Sequence, residues 1–213
     1  KPIFFKTIVT IDMAERIAEH YGVSTKNVLT GFKYIGEQIG LLETKGQEER
    51  YIFGFEESYG YLSGSYVRDK DAVGGVFLIC EMFAYYKSKG IGLWEKMQEL
   101  YRTYGYCLNT LHSFEFEGVT GFQRMQEIMA LMRKGIDTLA GKRVLECLDY
   151  SKGLNGLPKS DVLRFLLEDH CSIVVRPSGT EPKMKIYMSI SARDMGEAAT
   201  IEKLMKESMR QFL

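Results

Sequence analysis

The sequence has few of the residues that build metal and disulfide sites. Its 213 residues include four cysteines and three histidines. Cys80, Cys107, Cys147 and Cys171 stand 27, 40 and 24 residues apart with no Cys-x-x-Cys pair. That spacing excludes a zinc knuckle and a disulfide framework, and four buried thiols in a reducing compartment are expected. His20, His112 and His170 show neither His-x-x-x-His nor His-Glu-x-x-His spacing, and no Asp-x-Asp-x-Asp run occurs, so no metal site is expected in this chain. A charge of one sign is also lacking. Against 28 Lys and Arg stand 28 Asp and Glu, a formal net charge of +0, which excludes a surface-wide field for nucleic acid or an anionic membrane. The longest nearly uncharged apolar run, Val73 to Cys80, meets Glu81 after eight residues. A membrane helix needs ~20, so a soluble protein with no membrane partner is expected. No signal peptide is present, and the chain opens at Lys1 within a strand-like run (Ile3, Phe4, Phe5), as an excised piece of a longer protein would.

What the sequence does have is ordinary globular composition, 45% hydrophobic, 12% aromatic and 26% charged, over a length that suits one large domain or two small ones. Residues 3–11 are β-branched and aromatic. Asp12 with Glu15 three residues on suggests a capping box for a helix carrying Met13, Ile17 and Tyr21, stopped by Gly22. A short strand near Val28, a helix with Ile35, Ile39 and Leu42, and a strand 51–55 complete a βαβαβ order. Val76, Ile79, Cys80, Phe83 and Tyr86 have helical spacing, as do Leu93, Met97, Leu100 and Tyr104. After Gly105 the pattern changes. A strand 106–116, a helix with Phe122, Met125, Met129 and Met132, and strands 144–148, 162–167 and 171–175 follow. Met184, Ile186, Met188 and Ile190 alternate, putting Lys183, Lys185 and Tyr187 on the other face. The last helix carries Ile201, Met205, Ser208 and Phe212. The expected fold class is α/β: a three-layer α/β domain with a mixed, largely parallel sheet over residues 1–104, then a smaller α+β domain over 105–213.

Four segments carry candidate chemistry. Arg176-Pro177-Ser178-Gly179-Thr180-Glu181-Pro182-Lys183 lies between two strands and gathers an arginine, hydroxyls and a glycine whose backbone can approach a ligand closely, the composition of an anion cradle. From Arg176 to Arg193 four basic residues meet one acid. A hairpin turn with solvated charges has the same composition. Glu56-Glu57-Ser58 follows a strand, where α/β sheets bind ligands. If it stays extended, Glu56 and Ser58 share one side and Glu57 turns away or into support. An acidic turn or helix cap competes with that reading, while adjacent carboxylates are poorly placed to flank a glycosidic bond. Thr30-Gly31-Phe32-Lys33 offers a lysine to a phosphate or hydroxyl, or is a helix-start threonine beside a surface lysine. Arg68-Asp69-Lys70-Asp71 is a salt-bridged surface loop or holds a lysine that carries a proton or binds phosphate.

In this order the four segments resemble those of the α-D-phosphohexomutase superfamily, its bacterial phosphoglucomutase and phosphomannomutase branch. Gly54-Phe55-Glu56-Glu57-Ser58-Tyr59-Gly60 is similar to the family's sugar-binding loop and Arg176-Pro177-Ser178-Gly179-Thr180-Glu181-Pro182 to its phosphate-binding loop. Thr30-Gly31-Phe32-Lys33 and Arg68-Asp69-Lys70-Asp71 resemble two further active-site segments. The resemblance covers essentially the whole chain and implies the third and fourth of four domains. It implies a mutase interconverting hexose 1-phosphate and hexose 6-phosphate through a phosphoserine and a sugar bisphosphate, with Mg2+ and a glucose 1,6-bisphosphate activator, in the cytoplasm. The serine loop and the aspartate-rich metal loop of the first two domains are not in this sequence, so the fragment alone is expected to be inactive. In the implied site Glu56 and Ser58 hold sugar hydroxyls in either orientation of the hexose, with Thr30, Gly31 and Lys33 alongside. Arg176, Ser178, Gly179, Thr180 and Lys185 grip the non-transferring phosphate, and Lys70 serves as general acid or electrostatic stabiliser near the transferring group. Phosphomannomutase and phosphopentomutase are the nearest alternatives; a non-catalytic sugar-phosphate-binding protein is the competing class.

Overall fold

The computed structural model describes residues 1–116, 118–179 and 181–213. They form two compact units, Lys1–Gly105 and Tyr106–Leu213.

In the first unit β1 (Ile3–Thr7), α1 (Met13–His20), β2 (Ser24–Val28), α2 (Phe32–Glu43), β3 (Tyr51–Glu56), β4 (Gly60–Leu62), α3 (Ala72–Ser88) and α4 (Leu93–Tyr104) follow one another. The sheet order is β2-β1-β3-β4. β1 runs parallel to both neighbours and β4 returns antiparallel to β3, so the sheet is mixed and largely parallel, as expected. A register shift after Ile3 sorts the aromatic side chains of β1 and β3 between the two faces. Phe5 stacks on Tyr51 at 5.4 Å, while Phe4 stacks on Phe53 and Phe55 at 6.4 and 5.5 Å. On the Phe5 face Gly54 lets α2 close in, since a Cβ there would lie 2.9 Å from Ile35 Cγ2. Glu56, two residues on, points to that face by strand alternation.

One expectation fails here. The Asp12–Glu15 capping box does not form: Asp12 makes no side-chain cap, because its carboxylate and that of Glu15 turn instead to the ammonium of Lys6, each at 2.9 Å. Lys6 is 0% exposed in the middle of β1 and also donates to the Thr10 carbonyl at 2.9 Å, so all three of its protons have acceptors. α3 forms where the spacing of Val76, Ile79, Cys80, Phe83 and Tyr86 predicts a helix. Val76, Phe77, Ile79 and Phe83 are 49–62% exposed and only Gly75 is buried, because α3 is apolar around its whole circumference and touches the sheet along one line near Tyr61.

The second unit contains β5 (Tyr106–Glu115), α5 (Gly118–Arg133), β6 (Thr138–Leu139), β7 (Lys142–Asp149), β8 (Leu163–Leu167), β9 (Cys171–Pro177), β10 (Lys183–Ala192) and α6 (Met195–Arg210). Its sheet runs β5-β10-β9-β8-β7-β6 with every adjacent pair antiparallel, the α+β layout expected. The alternating Met184, Ile186, Met188 and Ile190 pack with Ile173, Val175, Phe165 and the helix residues Met125, Met129, Met132, Met205 and Met209. Phe122 leaves the expected stripe and is exposed, its place in the core taken by Ile128. On α6, Ala198, Met205 and Met209 form the buried stripe rather than Ser208. The four thiols divide: Cys107 and Cys171 are buried, whereas Cys80 on uncovered α3 and Cys147 on β7, beside the two-residue edge strand, are exposed. No helix among the described residues is long and apolar enough to cross a membrane.

Candidate functional site

In the first unit the chain leaves β1 for β2 on one side and crosses back to β3 on the other, which opens a crevice at the C-terminal ends of β1 and β3. Thr7 ends β1 and Glu56 ends β3. Glu56 is buried at 7% exposure. The ammonium of Lys70 lies 3.8 Å from Glu56 Oε1, 3.2 Å from Asp69 Oδ1 and 5.6 Å from the Phe32 ring centroid. Three of the four sequence segments thus meet around one buried carboxylate.

Local physics explains the convergence. Asp71 donates its N–H to the Tyr61 carbonyl at 2.8 Å, and its carboxylate caps α3 by accepting from the N–H groups of Val73 and Gly74, both at 3.0 Å. The Tyr66 hydroxyl, then those N–H groups, hold the Asp71 carboxyl below its ordinary pKa. Two glycines set the approach. A Cβ on Gly60 would fall 2.7 Å from Lys70 Cδ and 2.8 Å from Glu56 Cγ, and one on Gly36 of α2 would fall 2.3 Å from the Arg68 carbonyl oxygen. Arg68 pairs with Glu43, the surface salt bridge weighed for this loop, but Lys70 points inward to Glu56.

The Glu56-Glu57-Ser58 segment does not stay extended. Residues 57–59 turn sharply, with Tyr59 at φ 64, so the alternation argument does not hold there. The turn instead exposes Glu57 and Ser58, while the Ser58 hydroxyl bonds back to the Glu56 carboxylate. Burial pushes the Glu56 carboxyl above its ordinary pKa, Lys70 pulls it down, Glu57 pushes it up and Ser58 pulls it down. A raised carboxyl pKa means that the folded state disfavours the charged form: its stability contribution is full below the unfolded pKa and falls as pH rises through the folded one. Glu56→Gln is therefore expected to raise the urea midpoint at pH 7, with the gain shrinking as pH falls through the carboxyl range. An equal or lower midpoint at pH 7 would count against a desolvated Glu56 charge.

Gly31, at φ 116, is the N-cap residue of α2 and no side chain caps that end. Thr30 is half-buried and is not the helix-start cap weighed above. Lys33 is exposed over the ring of Tyr34 at 5.0 Å, so the lysine brought to Glu56 is Lys70. Sequence reasoning missed Thr7, Thr10 and Phe32. The hydroxyls of Thr7 and Thr10 are 2.7 Å apart and donate to Glu57 Oε2 at 3.0 and 3.3 Å. A Thr-x-x-Thr pair closing a strand was the available signal.

In the second unit Arg176 on β9 stands directly opposite Lys185 on β10. Of the four basic residues between Arg176 and Arg193, Lys183 is neutralised by Glu115 at 3.0 Å and Arg193 by Glu197 at 3.1 Å. Arg176 and Lys185 make no ion pair with a carboxylate among the described residues. Like charges directly across a ladder repel. Ser178 donates its N–H to the Lys183 carbonyl at 2.7 Å, shaping the turn, and among the described residues nothing lies within 4 Å of where a Gly179 Cβ would be. Thr180 lies outside the described residues. No group of three or more His, Cys, Asp or Glu among the described residues could hold a metal ion.

A family model described as phosphoglucomutase/phosphomannomutase, alpha/beta/alpha domain III, matches residues 1–104. A phosphoglucomutase of Staphylococcus epidermidis is 36% identical over 201 residues, 89% of this chain. A phosphoglucomutase of Staphylococcus aureus is 36% identical over 210 residues, 92% of this chain. The chain belongs to the α-D-phosphohexomutase superfamily. It spans 36% and 37% of the length of those two phosphohexomutases. Among solved structures, the Paramecium phosphoglucomutase parafusin superposes with a TM-score of 0.73 at 21% identity, covering 98% of this chain and 38% of its own. A phosphoglucomutase/phosphomannomutase family protein from Burkholderia thailandensis gives 0.60 at 14% identity, over 99% of this chain and 38% of its own. Both share the phosphohexomutase fold.

Proposed function

We propose that this chain is the sugar-phosphate-binding part of a phosphoglucomutase-like enzyme, with residues 105–213 as the fourth domain after the domain III match. One observation carries the reading most: the opposed Arg176 and Lys185, without a carboxylate partner among the described residues, beside an open turn at Ser178 and Gly179. Arg176 offers a forked contact and Lys185 a point charge to a phosphate, at ~1.5–3 kcal/mol per charge-assisted bond. In the first unit Glu56 accepts from, and Ser58 donates to or accepts from, adjacent sugar hydroxyls, a pairing that works with the hexose in either orientation. Lys70, drawn to Glu56 but half exposed, remains able to meet a phosphoryl oxygen.

A phosphoserine and Mg2+ would be supplied by the two preceding domains of the parent, with glucose 1,6-bisphosphate as activator. The ion would neutralise charge on the transferring phosphoryl group, but the described residues form no site for it, and no step of this chain runs through it. The exposed free thiols Cys80 and Cys147 favour a reducing, cytoplasmic setting.

The test is an NMR titration of the 213-residue chain with glucose 1,6-bisphosphate, using inorganic phosphate as control. Shifts at Glu56, Ser58 and Arg176 that phosphate alone does not reproduce are expected. Shifts confined to Arg176 and Lys185, identical for the two ligands, would overturn the sugar-binding half of the reading.

A further inference from the structure

The turn that carries Glu56 and Ser58 has little of its own to hold it. Residues 57–59 are exposed, Tyr59 sits in the left-handed region at φ 64, and β4 beyond has three residues. A carboxylate that must meet sugar hydroxyls to within a few tenths of an ångström needs a rigid frame. One is present. Thr7 and Thr10 are 0% and 2% exposed at the end of β1, the central strand of the sheet. Two hydroxyl protons serve three short contacts, so either both point at Glu57 Oε2 or one threonine donates to the other, which donates on to Glu57. In either pattern the Glu57 carboxylate is the terminal acceptor. The Thr10 carbonyl is itself fixed by the buried Lys6 ammonium at 2.9 Å, which also holds Asp12 and Glu15. An unbroken run of contacts therefore leads from the sheet interior through Lys6, Thr10 and Glu57 to the residues on either side of Glu57.

We propose that Glu57 is a positioning residue: clamped by Thr7 and Thr10, it sets the turn so that Glu56 and Ser58 present their oxygens to two adjacent hydroxyls of a hexose phosphate. This rests on the sugar-binding reading of Glu56 and Ser58. A carboxylate is suited to the clamp because it accepts two hydroxyl protons at one oxygen, each bond charge-assisted.

The readout is selectivity, the ratio of the dissociation constants of the 213-residue chain for inorganic phosphate and for glucose 1,6-bisphosphate. Glu57→Ala and Thr10→Val are expected to lower that ratio about tenfold, leaving phosphate affinity unchanged, and Thr10→Ser, which keeps the hydroxyl, is expected to restore it. A general loss of structure would move both affinities and would not be rescued by serine. Should Thr10→Val fail to fold, Glu57→Ala on the exposed turn decides alone. Glu56→Gln separates the two readings. If it lowers selectivity while Glu57→Ala does not, the clamp is overturned and the sugar site stands; if Glu56→Gln leaves selectivity intact, the sugar site falls and the clamp with it.

Discussion

Replacing Lys6 by methionine is expected to lower the unfolding free energy of the chain by about 3 kcal/mol, although Lys6 touches no ligand in the proposed site. Its side chain is 0% exposed and its ammonium has three acceptors at 2.9 Å: the Thr10 carbonyl and the carboxylates of Asp12 and Glu15. Methionine fills much of the same volume but removes the cation that both carboxylates face. Removing one partner from a buried ion pair costs about 3–5 kcal/mol. The lower end applies because the carboxylates are 21% and 37% exposed and can be rehydrated. Urea denaturation measures the loss. The triple variant Lys6→Met, Asp12→Asn, Glu15→Gln should regain much of it, since the stranded charges are then gone. A loss under about 1 kcal/mol in the single variant would mean that the cluster is electrostatically slack.

Arg176→Ala is expected to weaken glucose 1,6-bisphosphate binding by about ten- to a hundredfold, at ~1.4 kcal/mol per decade, while leaving the folded state no less stable. The two effects separate because of what Arg176 faces. Opposite it across the ladder is Lys185, and among the described residues neither has a carboxylate to offset the repulsion. Without ligand the arginine is therefore an electrostatic burden, and its removal relieves Lys185. With a phosphate between them both become assets. Arg176→Lys should be intermediate, retaining charge but not the planar fork. Calorimetric titration and thermal melting of the same samples check both halves; unchanged affinity would remove Arg176 from the site.

Much of this was legible from residue order alone. The alternation of Met184, Ile186, Met188 and Ile190 predicted a strand with a buried face, and all four are at 0–1% exposure because core packing obeys the period-2 rule. The βαβαβ order predicted a largely parallel sheet and hence ligand loops at its strand ends. What failed, failed where a long-range partner outbid a local one. Asp12 and Glu15 match a capping box by spacing, but a lysine six residues before Asp12 took the Asp12 carboxylate. The four basic residues from Arg176 to Arg193 suggested a local cationic field, and strand pairing withdrew Lys183 by setting Glu115 opposite it. The segment 57–59 stayed open between an extended run and an acidic turn because the contacts that decide for the turn lie about 50 residues away, at Thr7 and Thr10. Local propensity cannot register such a tether.

The uncovered circumference of α3 bears on how the chain behaves in solution. Proteins stay dispersed when like net charge keeps copies apart, and that colloidal repulsion vanishes at the isoelectric point. Here the isoelectric point falls near 7.0. At neutral pH the chain thus lacks its long-range repulsion while displaying Val73, Val76, Phe77 and Phe83 to water. Neutral buffer is accordingly the setting in which its solubility is lowest, and mildly alkaline buffer, where net negative charge returns, is the better medium for handling it.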